Sequence, residues 1–190
     1  MPRKKHSLFS AIAAIQNPNR PINRVLRDID AAAQAAEDLS RLNTSRGGKK
    51  GFKGFVNENM QAYEATTRGH RTAVLNDNGI SDLVYTKADG TKVYQQLKLG
   101  YQPGQIDFSR YSGQTVIVNP DHPRFQELKE AGAAAGVNVV KGHVASGDAQ
   151  RWADAMQLES KITGSSHSSV VPKLYEGAKT LESIGRLFGL

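Results

Sequence analysis

The chain has 190 residues and no cysteine. The length fits one domain of about 100–150 residues with peripheral helices, and the missing thiols exclude disulfides, thiol catalysis and thiolate metal sites. Its 25 Lys and Arg against 18 Asp and Glu give a net charge of +7, a balance that favours polyanionic partners, nucleic acid first and an anionic membrane surface second.

No apolar run reaches the ~20 residues that a bilayer-spanning helix needs. At the N-terminus Arg3, Lys4, Lys5 and His6 precede an apolar run over residues 8–15. This imitates a secretory signal, but the run is short, holds Ser10, and leads to Pro18 and Pro21 without a small-x-small cleavage pattern. It reads as a short amphipathic helix. Residues 1–27 carry six Lys and Arg and no acid, which suits a basic arm on phosphate or a helix packed on the domain.

From residue 22 to 42 the apolar residues Val25, Leu26, Ile29, Ala32, Ala33, Ala36 and Leu39 recur at three and four, the pattern of an amphipathic helix. Residues 43–54 read as a basic, glycine-rich loop; they lack the G-x-x-x-x-G-K-[ST] spacing of a nucleotide-binding loop. Lys49, Lys50 and Lys53 in this loop are candidate phosphate contacts. A second helix is expected over 55–66, with Phe55, Val56, Met60 and Tyr63 on its apolar side.

Three strands are expected next, over 71–75, 80–86 and 91–99. The first two are separated by a turn at 76–79, and the last two by Asp89-Gly90, a strong hairpin signal. A loop spans 100–113, and a buried strand follows at 115–118. Asn119-Pro120-Asp121 signals a helix start, with Phe125, Leu128 and Ala131 on one face. A strand at 136–140 and a helix at 147–161, with Trp152, Ala155, Met156 and Leu158 facing inward, complete the core. Residues 164–169 have linker composition. Helical spacing returns over 172–188, with Leu174, Tyr175, Ala178, Leu181, Ile184 and Leu187 forming the stripe. The fold class is therefore α/β, an α+β arrangement with a mixed sheet and helices on its faces. The expected organisation is a basic helical arm (1–48), an α/β core (49–161), and a linker with a C-terminal amphipathic helix (162–190).

Chemistry concentrates on the second hairpin. Alternate side chains of a strand share a face, so Gln96 and Lys98 point the same way, and a tight turn brings Asp82 beside them. A carboxylate and an ammonium on core strands are costly unless paired or bound to a cation. Phosphodiester cleavage needs hard oxygen ligands for Mg²⁺ or Mn²⁺, a cation that activates water, and a positive group beside the phosphate. Asp82 and Gln96 are the candidate metal ligands and Lys98 the group facing water and phosphate. An ordinary Asp82–Lys98 ion pair is the structural alternative.

Asp82, a hairpin, then Gln96-Leu97-Lys98 resembles the PD-(D/E)xK restriction-endonuclease-like superfamily. The resemblance implies an αβββαβ core flanked here by N- and C-terminal helices, a metal-dependent nuclease, and a role for Glu58, which matches the acid on the family's first core helix. It covers about half the chain. Gln96 stands where Asp or Glu is usual, and Ser81 replaces the Pro. Tyr101, Arg110 and Tyr111 follow Lys98; Arg110 is a further candidate nucleic-acid contact. His70, His122, His143 and His167 show no metal-ligand spacing and read as surface or capping residues.

Three functions are in view. The first is a Mg²⁺-dependent endonuclease acting on nucleic acid, DNA foremost. The second is a non-catalytic nucleic-acid-binding module on the same fold. The third is an assembly protein using its outer helices to form homo-oligomers or join a larger parent. The cysteine-free composition fits a reducing cytoplasm, and delivery as part of a toxin or phage particle is compatible with the first.

Overall fold

The computed structural model describes residues 21–75 and 80–189. The helix expected over 8–15 and the turn at 76–79 lie outside the described residues. Helix α1 (Pro21–Ser40) starts on a proline, whose missing N–H costs nothing in a first turn, and buries Val25, Ala32, Ala35, Ala36 and Leu39. Leu26, expected on the apolar side, is exposed.

Helix α2 (Gly48–Thr67) begins seven residues earlier than the sequence pattern indicates and takes in Gly51 and Gly54. Each glycine costs about 1 kcal/mol against alanine inside a helix. Phe52 outweighs that cost. It is fully buried, and Val56, Met60 and Tyr63 continue its stripe at spacings of four, four and three; each such side chain contributes roughly 1.5–3 kcal/mol on burial. The glycine-rich loop expected over 43–54 therefore shrinks to a short turn ahead of Gly48.

The sheet runs β1 (Arg71–Val74), β2 (Leu83–Thr86), β3 (Lys92–Lys98), β4 (Thr115–Val118) and β5 (Asn138–Lys141), in that spatial order. The first three strands form an antiparallel meander, and β3, β4 and β5 are parallel. Gly90 turns the β2–β3 hairpin at φ 83°, as Asp89-Gly90 indicates. The second strand is shorter than expected because regular pairing begins at Leu83, although Asp82 keeps backbone hydrogen bonds to Gln95 and Leu75. A 3₁₀ turn (Phe108–Tyr111) interrupts the β3–β4 loop, and α3 (Phe125–Ala134) crosses between β4 and β5. This helix starts later than Asn119-Pro120-Asp121 suggests, because both Asx side chains bond to other loops instead.

Two faces follow from the register. Leu97 lies beside Ile117, and Ile117 beside Val140; with Leu83 they pack under Ala62 of α2. Gln96 and Lys98 lie beside Val116 and Val118 on the other face, where Phe108, Tyr111 and Leu128 of α3 complete a second core. Helix α4 (Ser146–Thr163) and helix α5 (Val170–Phe188) join α1 and α2 in the largest core, around Phe52, Leu39, Met156 and Tyr175. That core takes residues from all three stretches into which the sequence divides. Leu158 of α4 and Leu174 and Leu181 of α5, expected to face inward, are exposed; Tyr175 is buried as expected, with Pro172 and Ser183 beside it on the buried face. The linker at 164–169 is anchored: Glu159 accepts hydrogen bonds from the Ser169, Val170 and Val171 N–H groups and from the Ser168 hydroxyl. No described helix is long and apolar enough to cross a membrane.

Two glycines on α2 and α3 differ in what surrounds them. A Cβ at Gly54 meets nothing within 4 Å, whereas one at Gly132 collides with Val139 of β5. Gly54→Ala is expected to stabilise the protein by about 1 kcal/mol and Gly132→Ala to destabilise it by about 1–3 kcal/mol. Urea unfolding midpoints of the two variants test this contrast.

Candidate active site

Asp82 sits one residue before β2 and is fixed there by its backbone. Its N–H donates to Gln95 O at 2.9 Å, and its carbonyl accepts from Leu75 N at 2.8 Å. The side chain then turns onto β3. Oδ2 accepts the Leu97 main-chain N–H at 2.7 Å and a second bond from the Gln96 amide, Nε2. The carboxylate thus takes an N–H of β3 that a partner strand's carbonyl would otherwise accept, which is why the ladder stops at Leu83. Gln96 is buried, 7% exposed.

Lys98 shares the Gln96 face, two residues on. Its ammonium lies 5.1 Å from the Tyr111 ring centre and 5.2 Å from that of Tyr101, inside the ~6 Å range of cation–π attraction. The alternative of a direct Asp82–Lys98 ion pair is not formed; Asp82 instead bonds to an amide and a main-chain N–H. Glu58 comes to the same region from α2. Burial foremost, and then the charge of Asp82, push its carboxyl from the ordinary 4.5 up to about 8, against the pull of Arg46 and Lys98. Burial also raises Asp82, opposed by the Leu97 N–H, by Lys98 and by Gln96. All four residues singled out by the sequence are therefore close enough to hydrogen-bond or to shift one another's charge.

The basic candidates fare differently. Lys53 lines an open cleft of about 830 Å³ beside Tyr101. Lys49 and Lys50 lie in the first turn of α2 rather than in a loop, and their side chains are outside the described residues. Arg110 is exposed on the 3₁₀ turn and does not line that cleft. Arg46, not singled out in the sequence, stacks over Phe55 at 4.1 Å and acts on Glu58; only its tertiary position reveals it.

A tether behind Lys98 was also hidden. His122, expected at the surface, is 5% exposed. Its Nδ1 accepts the Arg124 N–H at 3.1 Å, so Nε2 carries the proton and donates to Tyr101 O at 2.8 Å. Asn119 Oδ1 accepts the Gly100 N–H at 3.1 Å, and its Nδ2 donates to Asp121 at 2.7 Å. The turn after β4 thus holds the turn after β3, and with it Tyr101 over Lys98. The Asx-Pro-Asx run carried the signal, but it equally signals a helix start.

The donor set available to a cation is hard: the Asp82 and Glu58 carboxyls, the Gln96 amide and the Leu97 carbonyl. Among the described residues no group of three or more His, Cys, Asp or Glu could hold a metal ion. Two carboxyls suffice for Mg²⁺, which retains several waters, so the set fits that ion class and excludes the nitrogen-and-sulfur cages of zinc. Gln96 now presents nitrogen to Asp82; turning the amide over exchanges Nε2 for Oε1 without changing its shape.

No family model matches the chain, and no curated protein or solved structure matches it.

The Glu58 carboxyl generates a pH test. It binds its proton more tightly folded than unfolded, so folding takes up a proton between pH 4.5 and about 8, and stability falls as pH rises through that window. In EDTA the unfolding free energy is expected to drop by on the order of 2–4 kcal/mol from pH 5 to pH 9. Glu58→Gln should remove most of that slope. A wild-type curve flat across the window refutes the burial assigned to this group.

Proposed function

We propose that the protein is a metal-dependent nuclease that hydrolyses phosphodiester bonds of nucleic acid, DNA foremost, and that its chemistry resembles the PD-(D/E)xK superfamily. The observation that carries the reading is the convergence of Asp82, Gln96, Lys98 and Glu58, with Glu58 pushed up to about 8. A carboxyl poised near neutral pH is suited to accept a proton in catalysis. Structural networks also perturb such groups, but Lys98 lies against Tyr101, which lines an open cleft that also carries Lys53.

In this mechanism Asp82 and a turned Gln96 would hold a Mg²⁺-class ion, which when bound stabilises negative charge on the phosphoryl oxygens. Lys98, kept between Tyr101 and Tyr111, orients the phosphate and adds positive charge beside it. Glu58 accepts the proton of the attacking water. The new P–O bond forms from that water, the opposite ester bond breaks, and the departing oxygen takes a proton from solvent water. Asn119 and His122 keep Tyr101 and the strand end from moving away from Lys98.

Incubation with plasmid DNA and with structured RNA, each with Mg²⁺, Mn²⁺ or EDTA, tests the reading. Cleavage should require the cation and fall at least ~100-fold in Lys98→Ala and in Glu58→Gln. Circular dichroism should show both variants folded. Cleavage that persists in EDTA, or in folded Lys98→Ala, overturns the proposal.

One observation favours a second reading. The Gln96 Nε2–Asp82 bond fills a position on the carboxylate that a cation would use. On that reading the same fold binds nucleic acid without cutting it, and affinity falls steeply with salt while no metal produces cleavage.

A further inference from the structure

We infer that the cleft beside Lys98 receives an unpaired nucleotide, so that the protein engages single-stranded or frayed nucleic acid in preference to continuous duplex. The inference deepens the proposed function and rests on it.

The cleft measures about 830 Å³ and has three walls: Gly51 and Lys53 from α2, Tyr101 and Gln105 from the loop after β3, and Gln150 and Asp154 from α4. Its volume falls in the range of pockets for small organic groups, ~300–1,000 Å³. The walls differ in chemistry. Tyr101 is 42% exposed, with Lys98 engaging its ring at 5.2 Å, and an exposed aromatic surface beside a cation is the platform on which unpaired bases stack. Lys53 supplies positive charge on the α2 side. At Gly51 a Cβ meets nothing within 4 Å, so no packing demand of the protein explains a glycine there, and its absent side chain keeps the cleft open.

The α4 side is unsuited to phosphate, because Asp154 is an acid. It is suited to a base edge. Gln150 Nε2 donates to Asp154 Oδ1 at 2.8 Å, and Gln105 Oε1 accepts the Gln102 N–H at 2.8 Å. Both amides are thereby fixed in orientation, which leaves the Gln150 carbonyl oxygen and the Gln105 amide nitrogen as a preset acceptor and donor. Phosphate at Lys53, a ring on Tyr101 with Lys98 against it, and a base edge at the glutamines together describe one nucleotide. A base paired within a duplex offers neither its ring face nor its pairing edge to such walls.

The probes are labelled 12-nucleotide single strands of DNA and of RNA, and the corresponding DNA duplex, titrated against the full chain in EDTA at fixed salt. At least one of the two single strands should bind ~10-fold tighter than the duplex, within the roughly 5- to 150-fold that stacking one base on an aromatic ring is worth. Gly51→Leu should weaken single-strand binding about tenfold and leave duplex binding unchanged, and Tyr101→Ala should weaken single-strand binding about tenfold and duplex binding by less. Gly51→Leu narrows the cleft while favouring the helix, and circular dichroism should show it folded. Equal or tighter duplex binding, absence of single-strand binding, or variants that weaken all probes alike or none overturns the inference. Preference for only one of the two single strands supports it and identifies the sugar read. Because no cation is present, this outcome is separate from cleavage. Mg²⁺-dependent cutting without single-strand preference leaves the nuclease reading standing, and single-strand binding without cutting leaves the cleft standing alone.

Discussion

The hydrogen bond from the Leu97 main chain to the Asp82 carboxylate fixes the end of β3. A side chain here does what a neighbouring strand normally does, and it does so while half-buried. That substitution ends the β2–β3 ladder, seats the Gln96 amide against the same oxygen, and orients the next alternate residue, Lys98, toward Tyr101 and Tyr111. Asp82 is itself held by backbone bonds to Leu75 and to Gln95 of β3, which keep its carboxylate within reach of the Leu97 N–H. Burial then raises its proton affinity, and its charge raises that of Glu58. Two carboxylates in a low-dielectric region are costly, and Glu58 meets that cost by keeping its proton, against the pull of Arg46 and Lys98.

The helical layer supplies the second constraint. Tyr175 is buried against Tyr63 and Trp152 in edge-on contacts at 5.9 and 5.2 Å, and Phe52 is sealed in the same core. This packing drives the glycine-rich start of α2 into a helix. It also sets the distance between α2 and α4, and that distance is the width of the cleft bounded by Lys53, Tyr101 and Gln150. The core that stabilises the fold thus also sets the width of this cleft. A tether of buried side chains, Asn119 and His122, supports the opposite wall.

Much of this was legible in residue order. The Asp89-Gly90 hairpin, the apolar strand at 115–118 and the alternation of Gln96 and Lys98 follow from local rules with few competing solutions. Segments with mixed signals were not legible. Residues 43–54 carry both glycines, which favour a loop, and Phe52, which belongs to the α2 stripe; burial outweighs propensity, but burial depends on partners far along the chain. Leu26, Leu174 and Leu181 keep helical spacing yet face outward, since spacing defines a stripe without saying which stripe finds a partner. His122 looked like one of several scattered histidines, because its two bonds reach Tyr101 and Arg124 only after the β4 turn folds over the β3 turn.

By itself the sequence determined the mixed sheet, most of its helices and the grouping of Asp82, Gln96 and Lys98 at the hairpin, because hydrophobic period and turn chemistry act between near neighbours. Only the tertiary structure decided that Asp82 would cap β3 rather than pair with Lys98, that Glu58 would be buried beside it, and that Arg46, Asn119 and His122 would surround them. Those outcomes depend on desolvation and on contacts between distant segments, which exist only when the chain has closed on itself.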